Sequence, residues 1–263
     1  MKQRKLFRAL SLALLFILLL SACGSESPPP AAGGSAVSDP ALKQESSQPA
    51  VVTMEMKICT VNGSSVRGVG LSETYPEAYC FSCTPEQLRG ADAVLPGMVV
   101  EISFDGNVME TWPAQIQVET VTLKERQTDY FSLYKKILED LYGEDPGLNS
   151  GAEYFGFDLA EIGALSAGEK ALLAFDFSAE HNATPLEGTL QELMEQEYID
   201  EEALYWENGV HFTINEEKIE GDTVSCSVRK WKGGLGAVGY PVRATWEEQE
   251  GWSFEEMGVV WMS

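Results

Sequence analysis

Two hydrophobic spacings divide most of the chain. From about Thr53 apolar residues alternate with polar ones: Met54, Met56 and Ile58 are separated by Glu55 and Lys57, and Val100, Ile102 and Phe104 by Glu101 and Ser103. A period of two puts alternate side chains on one face of a strand. Asn62-Gly63 follows the first run and Asp105-Gly106 the second, each offering the positive φ of a tight hairpin. Between them, Thr84-Pro85-Glu86 reads as an N-cap with Pro at the first helical position, which predicts a short helix through about Arg89. Strand, strand, short helix and hairpin over 53–127 predict a small β-barrel or a curled sheet.

After about Gln127 the period changes. Phe131, Tyr134, Leu138, Leu141 and Tyr142 recur at three- and four-residue steps, predicting a helix from Asp129 to about Tyr142 that Gly143 stops. Ser166-x-x-Glu169 and Thr189-x-x-Glu192 are capping-box patterns, predicting helices from about Ala167 and Leu190. Alternation then returns: Val210, Phe212 and Ile214; Val224, Cys226 and Val228; and the stretches 238–248 and 252–262. The span 128–263 is therefore expected to be an α+β domain with helices packed on an antiparallel sheet.

The first residues follow neither period. Lys2, Arg4, Lys5 and Arg8 precede an uncharged, Leu-rich run from Ala9 to Leu20, and Leu20-Ser21-Ala22-Cys23 follows directly. About a dozen apolar residues are too few for a permanent span of a ~30 Å hydrocarbon core, so 1–22 reads as a secretion signal. Residues 23–52 carry Pro28-Pro29-Pro30, Gly33-Gly34 and scattered Ser and Ala, too little apolar surface to offset the entropy of ordering. They are expected to be a flexible tether with a reach on the order of 30 Å.

The segment ending at Cys23 resembles bacterial lipoprotein signal peptides, whose lipobox is a Leu, two small residues and an invariant Cys. That resemblance implies a diacylglyceryl thioether on Cys23, cleavage after Ala22 and a lipid anchor at the extracytoplasmic face of the cell membrane. The run 97–106, followed by Glu110-Thr111-Trp112-Pro113-Ala114-Gln115-Ile116, is similar to the end of a small OB-like barrel domain of unknown function in Gram-positive lipoproteins. Those domains usually have Tyr where this chain has Trp112. Asp145-Pro146-Gly147-Leu148-Asn149 and the run 230–237 resemble C-terminal regions of uncharacterised Gram-positive lipoproteins. These resemblances imply a fold and a compartment, and no activity.

Charge narrows the partners. The net charge of −23 becomes −27 once the four basic leader residues are removed. So acidic a surface repels phosphate backbones and anionic lipid surfaces, which argues against nucleic-acid binding. From 128 to 263 there are 8 Lys and Arg against 28 Asp and Glu, yet Arg229, Lys230, Lys232 and Arg243 fall within fifteen residues around Trp231 and a glycine loop. A locally cationic, aromatic segment could bind an anionic or glycan group, and these five residues are the candidate ligand site. The competing reading has the charges offset acidic neighbours while Trp231 packs inward.

Other motifs carry less. Gly234-x-Gly236-x-x-Gly239 has dinucleotide-binding spacing but is followed by strand-like alternation rather than a helix to receive pyrophosphate. Cys80 and Cys83 form a CxxC that ends before Pro85, so no helix dipole would activate the first sulfur; free thiols or a bridge to Cys59 are both open. Cys226 shares a strand face with Val224 and Val228 and is expected to be a buried free thiol. His181 and His211 are too few for a His-rich metal site, and His211 reads as a solvent-facing strand residue. No catalytic residue, metal or cofactor is singled out. The favoured class is a membrane-tethered binding or sensor module for a cell-wall polymer or protein partner; the alternative is a cell-wall hydrolase using carboxylates.

Overall fold

The computed structural model describes residues 51–247, 250–256 and 261–262. The expected secretion signal, Cys23 and the expected tether up to residue 50 lie outside the described residues. Ser47–Ser263 forms one compact unit of mixed α and β structure, mostly β.

The alternating runs become strands. β1 (Val52–Asn62) and β2 (Ser65–Gly70) form a hairpin at Asn62-Gly63, with Gly63 at φ +60°. β3 (Ala78–Ser82), β4 (Leu88–Arg89), β5 (Met98–Met109) and β6 (Ala114–Arg126) complete a sheet ordered β3-β2-β1-β5-β6-β4. A parallel pairing of β3 with β6 closes five of these strands into a barrel filled by Met56, Ile58, Val100, Ile102, Phe104 and Val121.

Two local expectations are corrected. The stretch after Pro85 makes one turn and then β4 rather than a helix, because Leu88 and Arg89 pair with Val121 and Thr122 of β6 and Leu88 enters the barrel core. Asp105-Gly106 does not turn the chain. Gly106, at φ +82°, sits in an irregular stretch of β5 where the register shifts between Phe104 and Val108, and Asp105 accepts a hydrogen bond from the Asn107 amide at 3.0 Å. The chain reverses later, between Met109 and Ala114.

The helical pattern is realised where its caps stand. Asp129 accepts from the Ser132 amide and opens α1 (Tyr130–Gly143). Ser166 with Glu169 and Thr189 with Glu192 form complete capping boxes for α2 (Ala167–Glu180) and α3 (Leu190–Glu195). β7 (Tyr154–Asp158), β8 (Thr184–Glu187), β9 (Gly209–Glu220), β10 (Thr223–Gly233), β11 (Gly236–Glu247) and β12 (Gly251–Glu256) form a second sheet, ordered β12-β11-β10-β9-β7-β8, and β13 (Trp261–Met262) also pairs with β11. The sheet is mixed rather than antiparallel, since β7 runs parallel to both β8 and β9.

One core joins the two halves. Cys226, Val224 and Val228 lie with Phe155, Phe157, Phe177 and Phe212 in a cluster that also takes in Cys59, Val69 and Ala78 from the barrel strands. Where α2 meets the barrel, Lys57 Nζ lies 2.8 Å from Glu169 Oε1 and Arg67 pairs with Asp176. A Cβ on Gly168 would come 2.7 Å from Val69 Cγ1, so glycine lets the helix approach. Lys57 and Cys59, on the outer face of β1, are therefore buried. Cys59, Cys80, Cys83 and Cys226 are all free thiols.

Candidate functional site

The glycine-rich segment is a hairpin end. β10 and β11 pair antiparallel from Thr223 opposite Thr245 to Gly233 opposite Gly236, which leaves Gly234 and Leu235 at the tip. The dinucleotide-like spacing is thus a turn between strands.

The five residues singled out from charge do not gather on one surface. Lys230 is fully buried, and its ammonium donates to the carbonyl oxygens of Tyr142 (3.0 Å), Glu144 and Asp145 (3.3 Å) just where α1 ends. A helix leaves its last carbonyls without intrahelical partners, and Lys230 supplies them. Burial pushes this amine down to about 8, against the pull of Asp145 and Glu144. Lys232 is also buried and donates to Ser150 O at 2.8 Å, with burial again lowering its pKa. Trp231 points to the opposite face of the sheet and packs with Leu193, Ile199 and Trp206. Arg229 is half-buried, and burial lowers its pKa. Arg243 is exposed seven residues up β11 from the tip, on the order of 20 Å away. The two lysines and the tryptophan serve the fold.

What the hairpin end does present is apolar. Leu235 is 95% exposed, Leu204 50% and Tyr205 46%. With Leu148, Ala203 and Gly233–Gly236 they line a cleft of about 560 Å³. Its wall is fixed by the backbone: Gly234 N donates to Leu204 O (2.9 Å), Trp206 N donates to Lys232 O (2.8 Å), and Tyr205 forms bridges with Gly233 and Asp200. A Cβ at Gly233 would lie 2.8 Å from Tyr205 Cδ2, so the close approach of that ring requires glycine. Leu204 has φ +47°, a left-handed conformation that costs a branched side chain on the order of 1 kcal/mol. Asp145, Asp200, Glu201, Glu202 and Glu207, all exposed, flank the lining residues along the chain. The sequence signal for this surface was a lone large apolar residue, Leu235, between glycines of a turn.

His211 corrects another expectation. It is buried rather than solvent-facing, because α3 and the segment carrying Trp206 cover that face of the sheet. Its Nε2 lies 2.9 Å from Gly188 O, an oxygen that can only accept and so requires a proton on Nε2, and its Nδ1 contacts the Thr213 hydroxyl at 3.3 Å. Burial lowers its pKa.

A second cavity, of about 300 Å³, opens at the carboxyl ends of the parallel strands β7 and β8, lined by Asp158, Lys170, Glu187 and Glu192 among others. The helix N-termini beside it are closed by their own capping boxes, and Lys170 donates to Ala160 O. Hydrogen bonds from Thr189 hold the Glu192 carboxyl below its ordinary range. Among the described residues no group of three or more His, Cys, Asp or Glu is arranged to hold a metal ion. In comparisons with known proteins, no family model matches the chain and no curated protein matches it.

Proposed function

We propose that the chain is a lipid-anchored extracytoplasmic protein, held at the cell membrane by Cys23 and presenting a non-catalytic binding surface to a cell-wall polymer or a protein. The lipobox Leu20-Ser21-Ala22-Cys23 supports the anchor, and the tether that follows gives the folded part reach from the membrane. The observation that carries the binding role is a contrast in side-chain use. Among the described residues, the buried Lys57, Glu169, Asp176, His211, Lys230 and Lys232 each have a partner within the fold, whereas Leu204, Tyr205 and Leu235 stand exposed on a backbone-fixed rim. Groups used in acid–base chemistry face a cleft where substrate can reach them; here the buried ones hold the structure.

The finer fold belongs to the same reading. The barrel is OB-like, on the strength of its strand order and the parallel closure of β3 on β6. Two of the later domain's helices, α1 and α2, lie on one sheet face, sharing a cluster with Phe212, Val224 and Val242, while α3 covers the other.

Metabolic labelling with a fatty acid tests the anchor. The wild-type chain is expected to take up label and shorten, and Cys23→Ser to remain an unlabelled precursor. Normal shortening and labelling of Cys23→Ser would overturn it.

A further inference from the structure

The cleft at the β10–β11 tip has a chemistry that selects its occupant, an inference that rests on reading the chain as a binding module. Leu235 has almost its whole side chain in water, and Leu204 and Tyr205 keep about half of theirs there, so each gains by desolvation when covered. Burial of the chain's own apolar surface gives no reason for a leucine to hold a left-handed backbone at an exposed site. The backbone bonds of Leu204 and Trp206 to the hairpin keep the cleft preformed, which lowers the entropy cost of binding.

The rim sets the sign of the partner. Asp145, Asp200, Glu201, Glu202 and Glu207 are exposed carboxylates one to three residues along the chain from lining residues, and among the described residues the one cation lining the cleft, Lys232, is turned to Ser150 O. A second copy of this chain would bring its own carboxylates to the same rim, at a net charge of −23 per full-length chain. An anionic lipid surface is repelled for the same reason. We propose that the cleft docks a cationic protein segment, which inserts one apolar side chain among Leu204, Tyr205 and Leu235 while its Lys or Arg residues meet the acidic rim.

Fluorescence anisotropy on the full lipidated chain in detergent tests this, with a labelled lysine-rich peptide bearing one central leucine as the probe. Binding is expected to weaken as salt rises. Replacing the peptide leucine by serine, or introducing Leu235→Ser into the protein, is expected to lower affinity about tenfold or more. Glu201→Gln with Glu202→Gln is expected to weaken binding and flatten its salt dependence. Leu235 is almost fully exposed, so Leu235→Ser keeps the fold, which circular dichroism checks. Equal affinity of the serine peptide, or of Leu235→Ser for the leucine peptide, would overturn the proposal. So would Leu235-dependent binding to zwitterionic vesicles without peptide binding, or Leu235-dependent self-association in sedimentation. If neutral wall-glycan fragments bind through Leu235 and the peptide does not, the partner chemistry falls and the binding-module reading stands. If neither binds, both fall.

Discussion

The seam between α2 and the barrel and the tip of the β10–β11 hairpin use side chains in opposite ways. At the seam, charges are drawn inside: Lys57 against Glu169, and the buried Asp176 against the half-exposed Arg67, close a contact in which Gly168 lets the helix meet Val69. At the tip, large apolar side chains are outside, and one of them holds a left-handed backbone. Burying an ion pair costs desolvation that only its partner and further hydrogen bonds offset, so the seam groups answer to the fold. Exposing the Leu204 and Leu235 side chains gains nothing for the fold, so the tip answers to something beyond it.

The seam gives the largest effect. Lys57→Ala leaves the Glu169 carboxylate buried without its cation and is expected to destabilise the chain by about 3–5 kcal/mol in chemical denaturation. Lys57→Met combined with Glu169→Gln is expected to recover much of that loss, because the uncompensated charge is gone. A single variant as stable as wild type would show that the barrel and α2 do not depend on this pair.

A smaller effect belongs to Lys230, which lies on the hairpin and acts like the seam residues. Lys230→Met leaves the carbonyls of Tyr142, Glu144 and Asp145 without their buried donor, an expected loss of about 1–3 kcal/mol. Binding at the tip should be unchanged in the folded variant. If stability holds while tip binding is lost, Lys230 belongs to the binding surface after all.

These cases show which parts of the molecule can be read from sequence. The capping boxes at Ser166 and Thr189, the Asn62-Gly63 hairpin and the strand face carrying Cys226 are set by neighbours a few residues away, and each forms as its local pattern dictates. Expectations failed where a distant element intervened. Leu88 is captured by β6 before a helix can form after Pro85. β7 carries no alternation, because Phe155, Gly156 and Phe157 are covered on both faces, and β8 is a short edge strand that tolerates Pro185 because its outer side needs no ladder bond. His211 alternates as a solvent-facing residue would, but Trp206 and α3 arrive from elsewhere in the chain to cover it. The cationic cluster around Trp231 was a matter of count: strand alternation sends Lys230 and Trp231 to opposite faces, and α1 takes the lysine. The exposed trio at the tip joins residues thirty positions apart, which no local pattern reveals.

The smallest expected change in stability is the most informative, and it concerns Leu204. Asparagine accepts a left-handed backbone more readily than leucine, and the backbone bonds that hold the loop are left in place. Leu204→Asn is expected to unfold within about 0.5 kcal/mol of wild type in chemical denaturation while lowering affinity for the leucine-bearing peptide. A loss of about 2 kcal/mol or more, with peptide affinity unchanged, would make Leu204 a residue of the fold and remove the contrast between seam and tip.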